Sequence, residues 1–336
     1  MTKNLVFDGL QISNWDRNTL EEVRRGGVHG INATCAVWEG TLETIRNIGD
    51  WLVLQNDSPD LARLVTSASE IREAAADGVV GVVLGFQNTS PFEQDYSTVE
   101  IFHKLGVRIA QLTYNIQNYV GGSCYDPDDS GLTRFGGRIV EEMNRVGMLV
   151  DLSHVGNRTS LDAIHHSIKP VSITHANPLW FSDTPRNKPD EVMQAVVDRG
   201  GVVGACLYPN VIGGAETTRE AFCDMVIRLV DQLGPDHVAI GSDSARNWDS
   251  SYVTFLRDGR WKPKQNVQWP EWSAWFQSPE DFPALANALS DRGLPDEVLT
   301  KVLGENWLTL FETVLNPPAS WRASVNDYTN CGNQRI

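Results

Sequence analysis

The sequence predicts an α/β protein folded as a (β/α)8 TIM barrel, and three observations support this prediction. Short apolar runs recur eight times along the 336 residues, and stretches with helical periodicity separate them. Most of these runs are too continuously apolar for a strand with one solvent-facing side, which indicates parallel strands covered on both faces. No glycine-rich GxGxxG turn follows the first run, so eight strand–helix units favour a closed barrel over a doubly wound sheet.

The predicted elements follow one another in a regular order. The eight strands are Leu5–Asp8, Val28–Val37, Val79–Phe86, Val107–Thr113, Met148–Ser153, Val171–Thr174, Val202–Leu207 and Val238–Gly241. Between them, helical periodicity is clearest in Leu42–Leu54, Arg134–Arg145, Arg158–His166, Asp190–Val197 and Arg219–Leu233. Glycines stand where a helix C-cap is expected before the next strand, at Gly27, Gly78, Gly106, Gly147 and Gly200-Gly201.

The chain continues past the eighth strand, and we interpret residues 1–336 as a single barrel domain with three extensions. Residues 244–278 form a tryptophan-rich loop, residues 279–315 form C-terminal helices over Pro279–Ser290 and Asp296–Phe311, and residues 316–336 form an extended tail. The tryptophan-rich loop is predicted either to pack its aromatic side chains over the barrel or to serve as a lid or dimer contact. A homodimer therefore stays open.

Composition and charge argue against several classes of binding partner. The formal net charge is −15 and the basic residues are scattered, which argues against binding to nucleic acid or to an anionic membrane surface. No apolar stretch approaches the roughly 18 residues of a membrane span, and the start of the chain lacks the pattern of a signal peptide. Five unevenly spaced cysteines indicate free thiols rather than a disulfide framework. We expect a cytoplasmic protein whose partner is a small-molecule substrate.

Two histidines stand at the ends of adjacent predicted strands. His154 closes Met148–Ser153 and His175 closes Val171–Thr174, with one helix between the two strands. The carboxyl ends of parallel strands carry the chemistry of α/β proteins. Imidazoles at this edge can bind a metal or move a proton, although a single strand-end histidine is often no more than a hydrogen-bonded polar residue.

Other polar and aromatic residues also fall at strand ends, and a barrel would bring them to one pocket. They are Asp8, Cys35 or Trp38, Gln87, Tyr114 with Asn115, Tyr208 and Asp243. Two histidines from neighbouring strands and Asp243 from the last strand resemble a hydrolase site. In such a site imidazoles ligate a metal, and the carboxylate takes a proton from bound water.

Three further candidates carry weaker signals. Arg186 follows the sixth strand, where it is suited either to clamp a carboxylate or to pair with Asp190 at a helix start. Cys124 follows the fourth strand, but a cysteine without an identified base is usually inert. The pair His165-His166 occupies consecutive helical positions and is predicted to lie on the surface.

The motifs at these positions resemble those of the renal or membrane dipeptidases, peptidase family M19, which are metallopeptidases within the amidohydrolase-type barrels. The matching segments are VDLSHVG at 150–156, ITHANP at 173–178, RNKPDEV at 186–192, HVAIGSD at 237–243 and GENWLTLFE at 304–312, with a looser match of LTYNIQN at 112–118. The resemblance runs in order through most of the chain. It implies a barrel of the metal-dependent hydrolase type that holds two zinc ions and cleaves dipeptides, including those with a D-residue in second position.

The same resemblance implies roles for four residues. His154 and His175 match the two histidines that bind the second metal. Arg186 matches the arginine that grips the substrate carboxylate, and Asp243 matches the aspartate that handles protons on the attacking water or the leaving amine. The expected catalytic residues are therefore Asp243, His154 and His175.

The sequence departs from the family pattern at the first metal. Both ligands of the family's DxHxD motif are apolar here, because the segment reads Asp8-Gly9-Leu10-Gln11-Ile12. Gln87 stands where the family has the carboxylate that bridges the metals, and Tyr114 stands where it has a histidine. Ligand number and charge set metal affinity, so we expect at most one zinc ion, on His154 and His175, and no two-zinc site. Tyr114, Asn115 and Gln87 become substrate-binding candidates beside Arg186.

Three functions from different classes remain open. The first is a dipeptidase-family hydrolase that acts on a dipeptide or a small amino-acid-like amide, with a single-metal or metal-free site. The second is a lyase or isomerase in which the histidine pair moves a proton. The third is an inactive relative that binds a small ligand in the same pocket.

Overall fold

The computed structural model describes residues 5–259 and 267–315, and these residues form a closed parallel barrel. The strands are β1 (Phe7–Gln11), β2 (Gly30–Ala36), β3 (Ala62–Leu64), β4 (Val80–Phe86), β5 (Val107–Gln111), β6 (Leu149–Asp151), β7 (Ser172–Ile173), β8 (Val202–Ala205) and β9 (Val238–Ile240). Their order around the barrel is β1-β2-β4-β5-β6-β7-β8-β9, and every pairing is parallel. The predicted TIM barrel and its eight strands are confirmed.

The barrel closes between its first and last strands. The amide of Asp243 donates to the carbonyl of Leu10 at 3.0 Å, and the amide of Ile12 donates to the carbonyl of Ser244 at 2.9 Å. A parallel bridge joins Gln11 to Ser244. These hydrogen bonds lie at the carboxyl ends of β1 and β9. The barrel is therefore closed at the same end where the site is expected.

The ninth strand, β3, was not predicted. It pairs with the first residues of β4 outside the barrel circuit, with Ala62 opposite Val80 and Leu64 opposite Val82. This strand has only three residues, and the central one, Arg63, is partly exposed. The segment therefore shows neither alternating hydrophobicity nor a long apolar run. It forms a strand because the backbone of β4 has a free edge at this point, which is a matter of tertiary structure.

The helices cover the barrel in the predicted order. They are α1 (Arg17–Arg25), α2 (Thr41–Asp57), α3 (Ala68–Ala76), α4 (Thr98–Lys104), α5 (Arg134–Val146), α6 (Asn157–His166), α7 (Asp190–Asp198), α8 (Pro209–Ile212), α9 (Arg219–Leu233), α10 (Ser250–Asp258), α11 (Phe282–Asp291), α12 (Asp296–Thr300) and α13 (Asn306–Leu315). A π-helical turn, Lys301–Glu305, joins α12 to α13. Five of the glycines predicted as C-caps adopt positive φ, whereas Gly201 does not. At Gly147, φ is +86° and the amide donates to the carbonyl of Met143.

The amino end of the barrel is sealed by α13. Trp307 and Phe311 pack among side chains from the starts of several strands, including Phe7, Leu149 and Val202. The indole Nε1 of Trp307 donates to the carbonyl of Ile240 at 2.9 Å. Gly9 lies against this ring, because a Cβ there would stand 2.6 Å from Trp307. With this end closed, access to the barrel is left to the carboxyl end.

The tryptophan-rich segment is more ordered than the sequence indicated. It contains helix α10, whose first turn is capped by Asp249 accepting from the amide of Ser251 at 2.8 Å. Trp38 Nε1 donates to the carbonyl of Leu256 at 3.3 Å and fixes this helix against the barrel top. Residues 260–266 of this segment, and the tail predicted for residues 316–336, lie outside the described residues. Within the described ranges, no helix combines the length and the apolar character needed to cross a lipid bilayer.

Candidate active site

A pocket opens at the carboxyl end of the barrel and collects most of the predicted site residues. Gln87, Tyr114, Asn115, His154, Arg186, Tyr208 and Asp243 all contribute to its wall. The remaining described lining comprises Ile12, Tyr125, Asn210, Val211, Ala245, Leu256, Arg257 and Trp269. His175 is fully buried and lies directly behind His154. These side chains therefore share one pocket at the carboxyl end of the barrel.

Three predicted members of the pocket wall are elsewhere. Asp8 is fully buried, and its carboxylate accepts from Ser242 N at 2.7 Å, Ser242 Oγ at 2.5 Å and Gln11 Nε2 at 2.8 Å. These bonds turn Asp8 away from the pocket and make it a link between β1 and β9. Cys35 faces a separate cleft beside α2, and Trp38 stands behind Tyr114. For these three residues the prediction was wrong, because each found a partner that only the folded barrel supplies.

His154 and His175 form a direct pair. Their Nε2 atoms are 3.1 Å apart, and the Nδ1 of His154 lies 2.7 Å from Asn115 Oδ1. The backbone of Asn115 has φ of +60°, a left-handed conformation that asparagine tolerates and that turns its amide towards the ring. The pair is thus held in place from the β5 side by Asn115.

A hydroxyl network fixes the tautomer of His175. The Nδ1 of this ring lies 2.7 Å from Thr174 Oγ1, which itself donates to Asp151 Oδ2 at 2.8 Å. Ser153 Oγ donates to the other carboxylate oxygen at 2.7 Å. Because Asp151 as a carboxylate only accepts, the Thr174 hydrogen is committed to it, and His175 Nδ1 must carry a proton. The lone pair of His175 is therefore on Nε2, facing His154.

The histidine pair is electrically neutral. Burial lowers the pKa of both rings well below the usual value, and the nearby Arg186 guanidinium lowers both further. With Asn115 Oδ1 accepting from His154 Nδ1, both Nε2 lone pairs point at one another. A half-turn of the Asn115 amide would instead place a proton on His154 Nε2, which would then donate to His175. In the first arrangement both Nε2 lone pairs are open to a proton or a cation, whereas in the second the one Nε2 lone pair, on His175, already accepts from His154.

Tyr114 covers the histidine pair. Its ring stacks on that of His154 with centroids 4.2 Å apart, and the Trp38 ring meets it edge-on at 5.3 Å. Burial raises the pKa of its phenol well above the usual value, with Asp243 adding to the effect. The phenol is therefore a neutral hydrogen-bond donor at neutral pH.

Arg186 enters the pocket from the loop after β7. It is 5% exposed and donates to the carbonyls of Ser153 at 2.5 Å and His175 at 3.0 Å. The described structure has no ion pair between Arg186 and Asp190 at the start of α7. The two carbonyls fix the orientation of the guanidinium. Because they are uncharged, its positive charge is available to an anionic ligand. Lys188 is buried nearby and donates to the carbonyl of Val155, and burial lowers its pKa to about 8.

Asp243 is the carboxylate of the pocket. It follows β9 with φ of +55°, and burial raises its pKa to about 7. Arg186 and Arg257 oppose this rise, whereas the neighbouring carboxyl of Asp8 adds to it. A carboxyl that titrates near neutral pH can both take up and release a proton under physiological conditions.

The donor set around the histidine pair is sparse. Leu10 and Ile12 are buried apolar residues, and Gln87 Nε2 donates to Thr34 Oγ1 at 3.0 Å. Across residues 5–259 and 267–315, no three His, Cys, Asp or Glu side chains are grouped so as to hold a metal ion. The four described cysteines are free, and burial raises the pKa of Cys124, which keeps its thiol protonated. His165 and His166 are exposed, as predicted.

Four polar or aromatic residues of the pocket wall were not predicted from the sequence, namely Tyr125, Asn210, Arg257 and Trp269. Arg257 lies on α10 and forms a hydrogen bond with Tyr208. A signal for its helix was present in the run Asp249-Ser250-Ser251, an N-cap sequence followed by apolar residues at helical spacing. No signal placed the helix over the pocket, because that depends on its contact with Trp38.

Comparisons with known proteins agree with this fold. The chain is similar to an amidohydrolase from Pseudomonas aeruginosa, at 37% identity and a TM-score of 0.89, over 93% of this chain and 97% of that one. It is similar in fold to a Rhodobacter sphaeroides metallo peptidase liganded with a phosphinate mimic of the dipeptide L-Ala-D-Ala, at 21% identity and a TM-score of 0.78, over 93% and 100% of the two chains. Dipeptidase verJ from Clonostachys rogersoniana is 27% identical over 320 residues, which are 91% of this chain and 77% of that protein.

The family is settled by a sequence model. The model of the membrane dipeptidases (peptidase family M19) matches residues 13–250, a span that begins after β1 and reaches the start of α10. This span contains both histidines, Arg186 and Asp243. The chain therefore belongs to the membrane dipeptidase family, M19.

Proposed function

We propose that this protein hydrolyses a dipeptide or a small amino-acid-like amide that carries a carboxylate. The observation that supports this most directly is one pocket that holds an arginine for a carboxylate, a carboxyl with a pKa of about 7 and a neutral histidine pair. Family membership supports hydrolysis as the reaction class.

The described residues do not fit a two-zinc centre. A catalytic zinc ion usually has three protein ligands, whereas the positions of the first site hold Leu10 and Ile12, whose side chains have no donor atom, and the neutral amide of Gln87. A single ion would rest on the Nε2 atoms of His154 and His175 alone.

The chain's own groups supply binding and proton transfer. The charged guanidinium of Arg186 binds the substrate carboxylate and places the amide beside Asp243. The Asp243 carboxylate takes a proton from water as the water oxygen attacks the amide carbon, and it then gives this proton to the leaving nitrogen. The neutral phenol of Tyr114 is the donor on the pocket wall that suits the developing oxyanion. The products are a carboxylic acid and an amine.

A panel of dipeptides and N-acylated amino acids tests this proposal. We expect release of amine from at least one class by the wild-type protein, and loss of that activity in Asp243→Asn and in His154→Asn. Asp57→Asn, an exposed change at the end of α2, is the matched control and should keep full activity. Absence of turnover on every amide, in protein supplied with and without zinc, would contradict the proposal.

A lyase or isomerase is the second candidate, and one observation favours it. The Nε2 atoms of His154 and His175 are 3.1 Å apart, which suits the passage of a proton from one ring to the other. Products formed in water labelled with ¹⁸O separate the two reactions, because only hydrolysis incorporates the label. Tight binding of a small ligand without any turnover would identify the third candidate, a binding protein.

A further inference from the structure

Arg257 is a second guanidinium in the pocket, and helix α10 holds it there. Leu256 is buried in a cluster with Ile12, Val37 and Tyr114, and its carbonyl accepts from Trp38 Nε1. The N-terminus of the helix is capped by Asp249. Since the preceding residue is fixed by this cluster, the Arg257 side chain reaches the pocket wall from a rigid element rather than from a free loop.

The partners of Arg257 are hydroxyl groups. It forms a hydrogen bond with Tyr208, and Tyr114 and Tyr125 are the next groups whose proximity favours its charge, while burial opposes it. In the described part of the chain, no carboxylate forms an ion pair with it. Among the described residues, the groups next to this partly buried cation are mainly neutral phenols, which offset the cost of desolvation less than a carboxylate in an ion pair would.

Cations outnumber carboxylates on the described wall of the pocket. This wall carries two arginines, Arg186 and Arg257. The only carboxylate on the described wall is Asp243. The whole chain has a net charge of −15, so this local excess of cations is opposite in sign to the rest of the protein. Such a pocket concentrates anions.

We propose that the substrate carries two carboxylates, one held by Arg186 and the other by Arg257 with Tyr208. The chemical class is an amide of aspartate or glutamate, either a dipeptide that ends in one of them or an N-acylated form. One carboxylate occupies the Arg186 end of the pocket, and the side-chain carboxylate reaches Arg257 on the α10 side. This inference rests on the proposed hydrolase function for turnover, but the selectivity for a dianion is a binding property that can be measured separately.

Binding calorimetry on the full chain tests the inference with a matched pair of ligands. N-Acetylglutamate and N-acetylglutamine have the same shape and differ in one negative charge, and both configurations of each are used. We expect the wild-type protein to bind N-acetylglutamate at least 10-fold more tightly. Arg257→Gln should bind the two ligands about equally, and Arg257→Lys should keep part of the preference because it keeps the charge.

The controls separate charge recognition from damage to the fold. Arg63→Gln removes an exposed arginine on β3 and should keep the full preference. Thermal unfolding of Arg257→Gln shows whether the variant is folded. If it is not, the binding preference of Arg257→Lys is compared with that of the wild type instead. Equal binding of the two ligands by the wild-type protein, no measurable binding of either one, or an equal loss for both in Arg257→Gln would overturn the inference.

Turnover distinguishes this inference from the proposed function. Selective binding of the dianion without cleavage of any amide would leave the inference standing and contradict the hydrolase. Cleavage of neutral and acidic amides with equal kcat/KM would support the hydrolase and overturn the inference. If both proposals hold, kcat/KM for acidic amides should exceed that for the matching glutamine or asparagine amides, and Arg257→Gln should remove most of this difference.

Discussion

The Nε2 atoms of His154 and His175 face one another at 3.1 Å, and the Nδ1 of each ring is hydrogen-bonded on its far side. Asn115 and Thr174 therefore fix the orientation of the two rings before any ligand arrives. The resemblance assigns further metal ligands to positions that hold Leu10, Ile12 and Gln87 in this sequence. The molecule thus keeps the orientation of two donors while lacking most of the charge that would bind two divalent ions.

Metal content follows from this donor set. We expect at most one zinc ion per chain in protein purified without added metal or chelator, and none when His154 and His175 are both changed to alanine. Elemental analysis by mass spectrometry measures this directly. The double variant His165→Ala, His166→Ala removes two exposed histidines and is the matched control. Two zinc ions per wild-type chain would contradict the expectation.

Arg186 should control recognition of the substrate carboxylate. Arg186→Gln is expected to lower kcat/KM for a carboxylate-bearing amide by about 100-fold, because a buried, charge-assisted contact is lost. The variant should also lose its preference for a free carboxylate over the matching carboxamide. Arg186→Lys keeps the charge but not the planar fork and should recover only part of the activity. Steady-state kinetics on the paired substrates gives both quantities, and an unchanged preference in Arg186→Gln would argue against this role.

Asp243 should make the stability of the fold depend on pH. Its folded pKa of about 7 lies above the usual value of 3.8, so its contribution to stability is fully present below about pH 4 and is lost as pH rises through 7. Asp243→Asn resembles the protonated acid and does not titrate. Its free energy of unfolding relative to the wild type should therefore increase between pH 4 and pH 8, by on the order of 2–4 kcal/mol. Urea unfolding at several pH values measures this, with Asp57→Asn as control, and a difference that is constant with pH would contradict it.

The same carboxyl should shape the activity profile. If Asp243 acts as the general base, kcat/KM rises with pH through about 7, because the deprotonated carboxylate is the active form. Occupation of Arg186 and Arg257 by substrate carboxylates weakens their effect on Asp243, so the limb seen in kcat should lie at higher pH than that in kcat/KM. Rate measurements from pH 5 to pH 9 give both limbs, and a flat profile through pH 7 would exclude this role.

Trp307 should be among the residues most important for stability. Its ring fills the amino end of the barrel against Gly9, and its Nε1 donates to the carbonyl of Ile240. Trp307→Ala is expected to lower the free energy of unfolding by about 3–5 kcal/mol through a cavity and an unpaired carbonyl. Trp307→Phe fills most of the volume and should cost less. Chemical unfolding of both variants checks the order, and a loss below 1 kcal/mol in Trp307→Ala would mean that the ring does not support the barrel.

The barrel could be predicted from the sequence because its strands are continuous apolar runs. Runs such as Val79–Phe86 need no partner to be recognised, and the strand-end rule then placed His154 and Asp243 at one edge. The three residues of β3 carry no such pattern and depend on the exposed start of β4. Local sequence patterns therefore predict the strands that are continuous apolar runs. A short strand such as β3 forms only through pairing with a neighbour, which the local pattern does not show.

The pocket was predictable only in part for the same reason. Asp8 stands at a strand end, as a catalytic carboxylate would, but Ser242 from the last strand satisfies it. Arg257 belongs to no strand end and reaches the pocket because Trp38 and Leu256 meet. In both cases the deciding contact joins residues more than 200 positions apart in the chain, and periodicity carries no information at that distance.

The bond between Asp8 and Ser242 has a consequence for how the chain reaches its native state. The two residues are 234 positions apart, so the first strand cannot gain its second neighbour before residue 242 has been synthesised. Until then β1 has one unpaired edge, and the Asp8 carboxyl has only its local contact with Gln11 and its own turn. Contacts of this separation slow folding and prolong the exposure of strand edges. We therefore expect ring closure to be among the later steps of folding.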